Sequence, residues 1–159
     1  MNANELLKSV SNAVEALDLE AVKTRLTNAE NGEGWSQDKA DGVEREYRRF
    51  LCMSKIYPDV ELAPYEDVDM FWHYHILDTR KYAADCNQAF GHFLHHCPQA
   101  DTYGDESDTR RRLASGKRLA MLYEATFGEA DPATRMGSIQ TTAPCICNSQ
   151  WRDETPKPR

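Results

Sequence analysis

The stretch Val68-Asp69-Met70-Phe71-Trp72-His73-Tyr74-His75-Ile76-Leu77-Asp78-Thr79-Arg80-Lys81-Tyr82-Ala83-Ala84-Asp85-Cys86 decides the fold. Val68, Trp72, His75, Thr79, Tyr82 and Cys86 recur at spacings of three and four, the interval that lines up side chains on one face of an α-helix. Glu66, Asp67 and Asp69 open the stretch, where the helix macrodipole favours anions, and neither Gly nor Pro interrupts it before Gly91. This pattern predicts one long helix over residues 65–90 with a buried face. Gly91 ends or kinks it, and a continuation from His92 stops at Pro98.

Upstream, Leu6, Leu7, Val10, Val14 and Leu17 describe an amphipathic helix over residues 4–17. Asp18 is placed to cap a second helix that reaches about residue 28, where two glycines and polar residues break the pattern. Ser36 is a candidate N-cap for a third helix. Its apolar positions Val43, Tyr47, Phe50, Leu51 and Tyr57 run up to Pro58. Residues 58–64 read as an extended connection. Downstream, a last helix is expected over residues 105–127, closed by Gly128. The sequence therefore predicts an all-α fold, an irregular bundle of five or six helices. Residues 1–128 form its single helical domain, and residues 129–159, without a sustained period, form a flexible C-terminal tail.

The chain has 159 residues, a formal net charge of −7 and a pI near 5.2. That balance argues against a nucleic-acid partner, since phosphate neutralisation needs a surplus of Lys and Arg on one face. The one basic run, Arg110-Arg111-Arg112, follows Asp105, Glu106 and Asp108 and reads as a solvated helix surface. No segment approaches the apolar length of a membrane span, and the N-terminus lacks the layout of a secretory signal. A soluble, cytoplasmic protein is expected. The five cysteines, an odd count without an export signal, then read as reduced thiols.

All five histidines lie between positions 73 and 96. Imidazole is the side chain most used for metal ligation and for proton transfer near neutral pH, so chemistry is expected in residues 69–97. His73 and His75 are two apart and therefore face different sides of a helix. His73 shares its side with Asp69, and His75 lies on the core stripe near Asp78 and Tyr82. His92 is three and four residues from His95 and His96, which on a helical turn presents two imidazoles together. Folding about Gly91 would bring one of His73 or His75 to His92 and either His95 or His96, with Asp78, Asp69 or Cys97 completing the set. Such ligands suit Zn, Fe or Cu, with an open position for hydrolytic or oxidative chemistry. The alternative places these histidines in the core, hydrogen-bonded to carboxylates or carbonyls, with Asp78 and Asp85 either fixing ring orientation or standing as solvated surface acids.

The quoted stretch, with Phe90-Gly91-His92-Phe93-Leu94-His95-His96-Cys97-Pro98 after it, resembles the core motif of the glycine-rich domain-containing protein-like family. That resemblance covers about residues 43–98 and implies that Trp72, His73, His75, Tyr82, Asp85, Cys86, Phe90, Gly91 and one of His95 or His96 belong together. The glycine-rich segment of that family is missing here.

Three functions follow from these readings. A metal-binding protein, in its fullest form a metalloenzyme, would use the histidine cluster. A helical module for a protein or peptide partner would use the acidic surface or the tail. A carrier or modification substrate would use Cys145 and Cys147 of Pro144-Cys145-Ile146-Cys147, a Cys-x-Cys that also suits a soft ion.

Overall fold

The computed structural model describes residues 3–96 and 106–132, and all described regular structure is helical. Helices α1 (Ala3–Glu15), α2 (Glu20–Thr27), α3 (Gln37–Ile56), α4 (Glu66–Leu77), α5 (Thr79–Phe90) and α6 (Glu106–Phe127) form the predicted all-α bundle. Cys97 and the Cys145-x-Cys147 segment lie outside the described residues.

α3 is the centre of the bundle and packs against α1, α2 and α4, while α5 packs on α1 and α4. Its start is the one the sequence indicates: the Ser36 side chain accepts a hydrogen bond from the Lys39 N–H at 3.2 Å. Val43, Tyr47, Phe50 and Leu51 are all buried on it. The core continues through Val10, Val14, Leu26, Phe71, Trp72, Tyr82 and Leu94.

Long basic side chains of α3 also terminate its neighbours. Arg48 donates from Nη1 to the Val14 carbonyl and from Nη2 to the Leu17 carbonyl at 3.0 Å, and Lys55 Nζ donates to the Phe90 carbonyl at 2.6 Å. The Val14 and Phe90 carbonyls belong to the C-terminal turns of α1 and α5, and Leu17 follows just past α1; such carbonyls have no partners within their own helices and favour a nearby positive charge. Lys23 ties α2 to α3 in a similar way, with Glu20, Asp41 and Glu44 within 3.0 Å of its ammonium group.

The stretch predicted as one helix over 65–90 is two. Asp78, with ψ at 78°, leaves the helical region, and its carboxylate accepts the Lys81 N–H at 3.3 Å as the N-cap of α5. An Asp that satisfies an orphan N–H replaces the helical continuation it interrupts. The core stripe survives on both sides of the break, since Val68, Trp72, His75, Tyr82 and Cys86 are buried, but Thr79 at the break is exposed.

Gly91 ends α5 in the left-handed conformation, φ 76°, with its N–H on the Asn87 carbonyl. The helical continuation expected from His92 does not form, and residues 92–96 run as an irregular segment. Leu94 pins that segment, 2% exposed within the core. Burying such a side chain contributes about 2 kcal/mol.

Candidate metal centre

α4 carries Asp69 and His73 one turn apart near the returning segment 92–96, and three donor groups meet there. His73 Nδ1 lies 3.2 Å from Asp69 Oδ2, and His96 Nε2 lies 3.0 Å from Asp69 Oδ1. The two imidazole rings are 4.4 Å apart between centroids, and all three ligand atoms fall within 4.8 Å of one another. Around an ion with metal–ligand distances of about 2.1 Å, tetrahedral donors stand about 3.4 Å apart. The two Asp69–histidine separations, 3.2 and 3.0 Å, lie close to that spacing.

The environment is asymmetric. The side chains of Asp69 and His96 are 10% and 8% exposed, whereas that of His73 is 46% exposed. The Trp72 ring stands edge-on to His96, with centroids 4.4 Å apart, and supplies the buried wall. The cluster therefore has a closed side at Trp72 and a solvent side at His73.

His75 belongs to a different constellation. It is 1% exposed, its Nδ1 is 2.9 Å from the Tyr47 hydroxyl, and its Nε2 is 2.8 Å from Asp85 Oδ2. A carboxylate only accepts, so Nε2 carries the proton and Nδ1 accepts from Tyr47. Lys81 Nζ, 2.6 Å from the same carboxylate oxygen, balances the charge of Asp85. Burial lowers the pKa of His75 against the opposing pull of Asp85 and keeps the ring neutral. With both nitrogens occupied, His75 is a core residue and contributes no ligand to the cluster.

The remaining candidates also lie apart. Asp78 is engaged in capping α5. His92 and His95 are exposed, the first beside the Phe90 ring and the second against Phe93 at 4.8 Å. The expected pairing of His92 with His95 or His96 assumed a helical turn, and without one the three- and four-residue spacing places nothing on a common face. Of the histidines weighed as ligands, the structure brings together His73 and His96, with Asp69 as the carboxylate. Asp85 has the orienting role considered for it, on His75. Tyr47, 28 residues from His75 in sequence, had no local signal linking it to that ring.

A second polar network joins α3 to α6. The Tyr123 hydroxyl donates to Glu46 Oε2 at 2.6 Å and receives a short hydrogen bond from Arg49, which also pairs with Glu129 at 2.9 Å. These contacts fix the docking of α6. Both cysteines among the described residues, Cys52 and Cys86, are buried and form no disulfide, and burial pushes the Cys52 thiol up to about 11. No helix among the described residues is long and apolar enough to cross a membrane.

A family model described as UCP032817-like matches residues 14–122, more than half of the chain. No curated protein and no solved structure matches. The chain belongs to the UCP032817-like family, and this corrects the resemblance to the glycine-rich domain-containing protein-like family. Trp72, His75, Tyr82, Asp85 and Cys86, which carried much of that resemblance, are buried positions of a packed helix pair. Such positions are set by side-chain volume and internal hydrogen bonding, which unrelated helix pairs share.

Proposed function

We propose that this member of the UCP032817-like family binds one divalent transition-metal ion through Asp69, His73 and His96. The observation that supports the reading is the convergence of two imidazoles, from a helix and from an irregular segment 27 residues further on from Asp69, upon the two oxygens of one carboxylate. Two histidines and a carboxylate suit Zn, Fe or Cu, and thiolate-free donor sets of this kind recur in hydrolytic and oxidative centres. With neutral imidazoles and one carboxylate, a divalent ion keeps a net positive charge. It would then acidify a water bound on the solvent side, next to His73.

Cobalt titration of the untagged, chelator-treated full chain tests this, because Co²⁺ in such a site develops visible ligand-field bands. One ion per chain is expected, with binding lost in Asp69→Ala, His73→Ala and His96→Ala and retained in His92→Ala and His95→Ala. Wild-type protein that binds no cobalt, or variants that all bind alike, would overturn the reading.

A further inference from the structure

We propose that Tyr82 is a positioning residue for this metal centre, acting through Leu94 to set where His96 stands. The proposal rests on the reading of Asp69, His73 and His96 as ligands. His73 and Asp69 belong to one helix and keep their spacing without help. His96 does not, because it follows Gly91 on a segment without a hydrogen-bond ladder of its own. Something else must fix its backbone.

Leu94, two residues before His96, is held at both of its backbone polar groups by α5. The Tyr82 hydroxyl donates to the Leu94 carbonyl at 2.6 Å, and the Leu94 N–H is directed at the Cys86 sulfur, one helical turn further along. Tyr82 in turn accepts from Trp72 Nε1 at 2.9 Å. Trp72 precedes His73 in sequence and stands edge-on against the His96 ring. A closed path therefore runs from the helix that carries two ligands, through Trp72, Tyr82 and Leu94, to the third. All three residues are at most 2% exposed, so water cannot replace the lost partner when one link is cut.

Hydrogen-bond partners that orient metal ligands typically change metal affinity by about 10–100-fold when removed. A relay that holds the backbone of a ligand belongs to the same class. Tyr82→Phe is therefore expected to weaken Co²⁺ binding by about tenfold or more and to alter the intensity of the ligand-field bands as the geometry loosens.

Tyr47 is the matched control. It is likewise a fully buried tyrosine whose hydroxyl makes a hydrogen bond, but to His75, outside the cluster. Tyr47→Phe should lose comparable thermal stability and keep wild-type Co²⁺ affinity. Cys86→Ala, which cuts the other attachment of Leu94, should weaken Co²⁺ binding in the same direction and serves as the readout if Tyr82→Phe does not fold. A wild-type protein that binds Co²⁺, together with Tyr82→Phe or Cys86→Ala variants that bind equally tightly, overturns the positioning role alone. Equal affinity losses in the Tyr82 and Tyr47 variants would also overturn it, by making the effect one of general stability. A wild-type protein that binds no Co²⁺ overturns the metal reading itself.

Discussion

Replacing Asp85 by alanine should destabilise the fold markedly, by an amount that follows from its two contacts. Its carboxylate is the acceptor for His75 Nε2–H at 2.8 Å and for Lys81 Nζ at 2.6 Å. His75 is enclosed, so its N–H would be left buried without a partner, at a cost of about 1–3 kcal/mol. Lys81 has a side chain 26% exposed and can turn toward water, so the lost ion pair adds only about 1 kcal/mol. The sum is about 2–4 kcal/mol, equivalent to a fall in Tm of roughly 5–15 °C for a domain of this size. Asp85→Asn keeps an acceptor oxygen for His75 and loses the charge, so its cost should stay near 1 kcal/mol. Urea unfolding followed by far-ultraviolet circular dichroism near neutral pH measures both. An Asp85→Ala variant less than about 1 kcal/mol below wild type, or no worse than Asp85→Asn, would refute the assignment of His75 as a residue that depends on this acceptor.

Acid should expose the same network from another side. The His75 pKa in the folded protein lies below its ordinary value, so between the two the unfolded chain binds the extra proton. The neutral ring's contribution is complete above about pH 6.5 and declines as the pH drops toward the folded-state value. His75→Gln, whose amide can accept from Tyr47 and donate to Asp85 without titrating, should flatten that acid limb in a series of unfolding curves. An unchanged slope would assign the acid sensitivity elsewhere. Two glycines should behave differently when replaced by alanine. Gly91, at φ 76°, has no atom within 4 Å of an added Cβ, so Gly91→Ala should cost only the backbone term, about 1–2 kcal/mol. A Cβ at Gly32 would lie 1.8 Å from the Arg25 carbonyl oxygen, so Gly32→Ala must displace the turn after α2 and should lower Tm further. The reverse ranking would contradict the loop geometry.

Much of the bundle was legible because burial is periodic. Ser36 announced α3, Gly91 and Gly128 announced the ends of α5 and α6, and the stripe from Val68 to Cys86 announced which face packs inward. The break at Asp78 was not legible, since a single Asp is tolerated within a helix and acts as a cap only when tertiary packing turns the chain there. That one break also governed the site. It set Asp85 against His75 across two helices, a relation that no wheel drawn on a continuous helix contains. The Asp69–His73 pair, four residues apart on α4, was visible as a shared helix side. His96 was visible only as a residue type, because an irregular segment has no phase from which to compute a direction.

The two buried attachments of His75 have a practical consequence for anyone dissecting this family by histidine replacement. Positions 73 and 75 are separated by a single residue, yet His73 is half-exposed beside Asp69 while His75 is enclosed between Tyr47 and Asp85. Replacing His73 by alanine removes one of the three groups proposed as ligands from a folded protein, whereas replacing His75 by alanine lowers the stability of the core. The two defects diverge once soluble yield and unfolding midpoint are read beside metal binding. A histidine scan scored on metal binding alone would therefore merge the proposed ligand His73 with the structural His75 and count one ligand too many.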